Sequence, residues 1–249
     1  MKKFCPVLEE RCSGAALGKL TSASASAHMN VHRFVYHLAE AENWPSIERD
    51  GLLSTRALLY RAGIDDSIRA TLEREHRPKR TILPTGWVIR DQKPMPPAGL
   101  RRCLVGLTTA QWYELLNGKV FFWFDIERLN RQRRACGSSP QVVLKIATDR
   151  LLGRYAAQTA LTPINTGNAR RKPALRGKAT FVPYGVWTET AWLSEAQALG
   201  TRCRPWNHQP VELAVTDSVP DVMDFVVSIR KLAPGSFYPI PHGRSRRRK

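Results

Sequence analysis

Apolar positions along the chain fall in short runs, broken by proline, glycine and charged residues, and the spacing inside the runs changes from element to element. Phe34–Leu38 is a compact apolar run with His37 near its end, and it predicts a strand. Pro45 suits the first turn of a helix, Trp44 and Ile47 share one helical face, and Gly51 predicts a C-terminal stop, where positive φ is commonly needed. Ser54 predicts the cap of a second helix with Leu58 and Leu59 inward. A charged helix is expected over Ser67–His76, ended by Pro78, and a strand end at Val88–Arg90. IRDQKPMPP then leaves as an extended loop, because each proline disfavours helix in the residue before it. Thr108 and Gln111 have the spacing of a capping box for a helix that turns Trp112, Leu115 and Leu116 inward and closes at Asn117-Gly118.

Lys119–Phe124 (KVFFWF) is uncharged after its lysine and almost wholly aromatic, which predicts a strand in the middle of a sheet. Asp125 is placed to cap a helix reaching about Arg134, Val142–Ala147 predicts another buried strand, and Asp149 a helix cap. Thr188–Leu199 has helical spacing, residues 211–215 (VELAV) predict a strand with Glu212 inside it, and Phe225–Leu232 predicts a final strand. Strands and helices mix without a regular βαβ rhythm, so the expected class is α+β. Residues 163–178 (PINTGNARRKPALRGK) predict a long mobile loop carrying Arg170, Arg171, Lys172, Arg176 and Lys178.

Composition narrows the partners. The chain has 249 residues, of which 39 are basic and 21 acidic, for a formal charge of +18. Such a charge favours an anionic partner, nucleic acid first, and the basic residues of the 163–178 loop together with Asn165 are the candidate contacts. Five cysteines at wide spacings, without a C-x-x-C pair, point to a reducing, cytoplasmic setting and away from a zinc framework, so no metal is expected. No run approaches a membrane span or a signal-peptide core. The expected organisation is a flexible leader over residues 1–30, with Met29 an alternative start, a domain over 31–235, and a basic disordered tail over 236–249. The absence of G-x-G-x-x-G, a Walker A lysine motif, H-E-x-x-H and G-x-S-x-G removes the common dinucleotide, NTPase, zinc-protease and α/β-hydrolase readings.

The stretch 34–59 resembles the first motif of the ADP-ribosyltransferase superfamily, in particular the DarT-like branch that acts on nucleic acid, through His37, Trp44, Ile47, Gly51 and Leu52. The chain is also similar to an uncharacterised bacterial family with IRDQKPM and VFFW segments. The resemblance implies an ADP-ribosyltransferase-like core, a split antiparallel or mixed sheet with surrounding helices, and NAD as the substrate that donates ADP-ribose to a nucleobase. It further implies a toxin-like or phage-defence role with an antitoxin or hydrolase as partner. On that pattern His37, Gly51, Leu52 and Tyr60 belong to the NAD side, and Phe122 or Trp123 walls the nicotinamide pocket. Glu212, on a late strand, orients the ribose and stabilises its developing positive charge, and Arg90 holds a phosphate. Two rivals stand beside this reading. RNA 2′-phosphotransferases share the opening motif, and a basic nucleic-acid-binding module could keep the fold without turnover. For Glu212 itself the residues leave open a solvent-facing position or a structural pairing with an arginine.

Overall fold

The computed structural model describes residues 32–137 and 139–240; the expected leader with Met29, and the basic residues from 244 onward, lie outside the described residues. The first strand, β1 (Phe34–Glu40), runs into α1 (Trp44–Asp50), with Pro45 in its first turn. Gly51 ends α1 with φ of 75°, and a Cβ there would lie 2.3 Å from the Pro220 carbonyl oxygen, so both the left-handed backbone and the close approach require glycine. β2 (Leu52–Leu53) and α2 (Thr55–Arg61) follow, the latter capped by Ser54, whose hydroxyl accepts from the Ala57 amide. Then come α3 (Asp66–Arg74), a small hairpin of β3 (Thr81–Ile82) and β4 (Val88–Ile89), and the short α4 (Pro97–Arg101). The capping box expected at Thr108 and Gln111 opens α5 (Thr109–Asn117).

β5 (Lys119–Trp123) is followed by α6 (Ile126–Ala135), which Asp125 caps by accepting from the amides of Glu127 and Arg128. β6 (Gln141–Ala147) leads into α7 (Thr148–Tyr155), and here the expected cap fails. Ala147 holds the cap position, and Asp149 sits in the first turn, where its charge suits the helix dipole. The remaining elements are β7 (Thr159–Thr162), β8 (Val182–Pro183), α8 (Tyr184–Thr190), α9 (Leu193–Leu199), β9 (Glu212–Thr216), β10 (Ser218–Val219) and β11 (Val226–Leu232). The single helix expected over 188–199 is two, because Ala191 takes φ 49° and breaks the hydrogen-bond ladder.

Seven of these strands form one sheet in the order β11-β6-β1-β5-β9-β7-β8, with the aromatic β5 at its centre. Every ladder in it is antiparallel, so the class is α+β with a large antiparallel sheet, and the mixed alternative falls away. β1 meets β5 through a single residue pair, Tyr36 with Trp123, whereas β1 and β6 pair along seven positions. The sheet is therefore continuous but thin at its middle.

Directly opposed residues share a face. One row crosses five strands, Lys145–Tyr36–Trp123–Glu212–Thr162, and sets these side chains on one side. The adjacent row, with His37 against Leu144 and Phe122 against Leu213 and Leu161, faces the other side. That second side carries the largest apolar cluster, closed by Trp44 and Ile47 of α1 and Leu151 and Leu152 of α7. The Glu212 side is covered in two parts. Leu129 of α6 packs on Tyr36, Leu38 and Trp123, while Leu100 of α4 and Trp112, Tyr113 and Leu116 of α5 pack on Ala160 and Ala214.

Candidate functional site

Glu212 opens β9 where these two covers meet. Its neighbours in the sheet are Trp123 on β5 and Thr162 on β7, and it is only 4% exposed. The solvent-facing alternative is thereby excluded. The arginine alternative fails too. Among the described residues no salt bridge forms at Glu212, and the Arg176 guanidinium, whose charge acts on it, donates instead to the carbonyls of Thr166 (3.0 Å) and Ala174 (3.1 Å). Glu212 is held by hydrogen bonds that converge on one oxygen. The Thr166 amide (3.1 Å) and hydroxyl (2.8 Å) and the Thr162 hydroxyl (3.1 Å) all meet Oε2.

Burial pushes this carboxyl up to about 7, against the threonine bonds and the Arg176 charge, which pull it down. The local geometry agrees with a protonated resting state. Thr162 Oγ1 also lies 2.9 Å from the Ile164 carbonyl oxygen, and a hydroxyl has one proton to give. A neutral Glu212 can donate to Thr162 while Thr162 donates to Ile164, whereas an ionised Glu212 competes with Ile164 for the same proton.

Trp123 stands next in the row, nearly buried, with its indole Nε1 donating to Gln132 Oε1 on α6 at 2.6 Å. Phe122, the other aromatic expected at a nicotinamide pocket, is fully buried on the opposite side of the sheet, and its ring serves the core. His37 also turns to that side. It is half-buried, 5.6 Å from the Phe122 ring, with Nδ1 bonded to the Phe121 carbonyl at 2.8 Å where β1 and β5 part. Burial holds its imidazole down to about 4; the Phe121 bond opposes this and the Arg90 charge assists it. The sheet thus places His37 and Glu212 on opposite faces rather than in one cleft.

The remaining expected residues scatter. Arg90 donates to Glu40 (2.7 Å) and to Gln141 (2.6 Å), which leaves its guanidinium engaged within the fold. Gly51 and Leu52 are structural, with Leu52 buried opposite Val219 of β10. Tyr60 is 74% exposed on α2 with the Arg69 guanidinium 5.7 Å from its ring, so it lines no cleft with Glu212.

The 163–178 loop is tied down rather than free, by Thr166 on Glu212, by Ala169 on the Pro94 carbonyl and by the Arg176 backbone on Cys103 and Val105. Arg176 is 2% exposed beneath it and cannot meet a nucleic-acid backbone, which corrects that assignment; a buried guanidinium bonded to loop carbonyls is a strut. Arg170, Arg171, Lys172 and Lys178 are exposed and Asn165 is half-buried, so of the basic set only these four remain open to an anion.

Thr162, Gln132 and Tyr36 complete the surroundings of the row and were not expected from the sequence. A threonine closing an apolar strand (TALT) was the available signal for the first; the other two carry none. The expected tail is also revised. Asn130 on α6 exchanges two 2.9 Å bonds with the backbone of Tyr238, and the buried Arg133 donates to the carbonyls of Ser236, Ala233 and Gly137. Residues 236–240 therefore belong to the folded body.

Among the described residues no three His, Cys, Asp or Glu side chains gather as a metal site, and no helix is long and apolar enough to cross a membrane. No curated protein matches the chain. The model of a family of unknown function, DUF7002, matches residues 33–226, well over half of the chain, and the chain belongs to that family.

Proposed function

We propose that the protein is an ADP-ribosyltransferase-like enzyme that uses Glu212 to transfer ADP-ribose from NAD⁺ to a nucleic-acid base. The observation that carries this reading is a buried carboxyl that forms no salt bridge among the described residues, hydrogen-bonded on one oxygen and poised to ionise near neutral pH. Breaking the bond between nicotinamide and ribose builds positive charge on the sugar. Once its proton has passed to water as the covering loop lifts, the Glu212 carboxylate meets that developing charge and interacts more strongly with the transition state than with the ground state. Trp123, next in the row, supplies an aromatic wall on the same face. The 163–169 loop, whose Thr166 covers the carboxyl, must lift for NAD⁺ to reach it.

The test is turnover of labelled NAD⁺ with single-stranded DNA, RNA and protein acceptors, products being read by mass spectrometry. Glu212→Gln keeps the size and an acceptor oxygen but cannot ionise, and turnover should fall on the order of 10²–10³-fold with NAD⁺ binding retained. A glutamine variant with wild-type specific activity overturns the assignment. A folded protein that consumes no NAD⁺ with any acceptor leaves the non-catalytic module as the reading. The RNA 2′-phosphotransferase alternative draws on one observation, the Arg90 charge acting on His37, and is separated by requiring a 2′-phosphorylated RNA acceptor.

A further inference from the structure

Beside α6 the fold presents a surface on which aromatic rings alternate with cations. Phe34, at the start of β1, has Lys145 Nζ 3.8 Å and the Arg33 guanidinium carbon 5.2 Å from its ring centre. Tyr36, two positions along the same face but buried, supports Tyr238 from beneath, edge-on at 5.4 Å, and Arg230 of β11 lies 5.9 Å from the Tyr238 ring. Phe237 is 43% exposed, with the Arg134 guanidinium 5.3 Å from its ring. Two open grooves of about 450 and 650 Å³ run along this surface and share Glu127 and Ile240 as common walls. The second groove is lined by Arg131 and Arg134 from the outer face of α6.

We infer that this surface, made by α6, the edge strand β11 and residues 237–240, binds single-stranded nucleic acid. Charge complementarity names the occupant. Arg33, Arg131, Arg134, Lys145 and Arg230 stand against Asp125 and Glu127, and Asp125 is engaged in capping α6. Rings and cations in alternation match the two repeating parts of a single strand, base faces that stack on aromatics and phosphates that meet arginine and lysine. A duplex hides its base faces, so the exposed Phe237 ring and the partly exposed Phe34 and Tyr238 rings beside open grooves favour unpaired strands. Arg133 and Asn130 fasten the 233–240 segment to α6 through its backbone, which holds the Phe237 and Tyr238 side chains in place. The surface is separate from the 163–178 loop, on which sequence reasoning placed nucleic-acid contacts. It also does not rest on the Glu212 chemistry, because binding is measured without NAD⁺ and without turnover.

The experiment titrates the full chain into fluorescein-labelled oligothymidylate and oligouridylate, with a duplex and a polyglutamate peptide alongside, and follows anisotropy between about 50 and 200 mM salt. Arg131→Ala with Arg134→Ala should weaken single-strand binding and make the salt slope shallower by about 1.4, at about 0.7 for each lost phosphate contact. Phe237→Leu should weaken it by about 5- to 150-fold, the range spanned by one base–aromatic stack, and Phe237→Tyr should restore it. Thermal melting of each variant confirms that the fold is kept. If only one of the two single strands binds, or one binds more tightly, that strand is the occupant. The inference is overturned by unchanged affinity in these variants, by duplex or polyglutamate binding as tight as the single strands, or by loss of binding in Arg170→Ala with Arg171→Ala while the α6 variants keep it.

Discussion

Glu212 and His37 give the fold two opposed responses to pH, and replacing either one exposes the other. Burial raises the Glu212 carboxyl from 4.5 to about 7. Between those values the folded chain holds a proton that the unfolded chain releases, so the carboxyl favours the folded state fully below about 4.5 and loses that advantage as pH rises to about 7. At about 1.4 kcal/mol per pH unit the loss amounts to about 3 kcal/mol. His37 runs the other way. Burial lowers it from 6.5 to about 4, so the folded chain keeps it neutral where the unfolded chain protonates it. Its contribution is present above about 6.5 and is lost as pH falls toward about 4, to at most about 3 kcal/mol, less in proportion to the water that reaches the half-buried ring. The two windows overlap, and within them the two contributions oppose one another.

Glu212→Gln removes one slope. A glutamine oxygen can accept both Thr166 bonds but cannot donate to Thr162 as the neutral carboxyl does, so in acid the variant should lie below the native chain by a constant of about 1 kcal/mol. From there its stability should climb with pH, and at pH 8 it should exceed the native chain by about 2 kcal/mol, a midpoint roughly 4–8 °C higher. His37→Gln should show the mirror image, a stability that falls as pH rises from about 4.5 to 7. Urea unfolding at closely spaced pH values, with slopes compared rather than absolute stabilities, reads both. Parallel curves for the native chain and Glu212→Gln, with the glutamine variant weaker at every pH, would mean that Glu212 is ionised in the fold and balanced by Arg176. That result would also remove the premise of the proposed chemistry.

Gly51→Ala places a Cβ 2.3 Å from the Pro220 oxygen and 2.4 Å from the Val219 oxygen at φ 75°, and should cost about 2–4 kcal/mol, read as a lower melting temperature with wild-type nucleic-acid affinity in the folded fraction. Arg133→Ala strips the bonds that hold Ser236 and Ala233 to α6, and should cost about 3 kcal/mol and open residues 236–240 to limited proteolysis before the rest of the fold; simultaneous cleavage throughout would show that Arg133 supports the whole sheet instead.

Local chemistry made much of the fold legible, and the site only in part. The aromatic run KVFFWF, the Thr108–Gln111 capping box, the Asp125 cap and the glycine stop at Gly51 each follow from interactions within a few residues, and each forms where the sequence places it. What the sequence does not carry is the register between distant strands. His37 and Glu212 both look like strand carriers of chemistry, yet a side chain's face is fixed by alternation counted from the Tyr36–Trp123 and Trp123–Glu212 pairs, 87 and 89 positions apart along the chain. One residue of offset exchanges every face. The same long-range packing reverses the meaning of Arg176. In sequence it is one more cation in a basic loop, but it is buried under that loop, donating to the carbonyl of the very threonine whose amide and hydroxyl hold Glu212. That shared threonine places a buried cation near the carboxyl without letting the two form a direct pair. Glu212 is therefore held in position with its carboxyl raised by burial, whereas a salt bridge to Arg176 would hold it ionised at neutral pH.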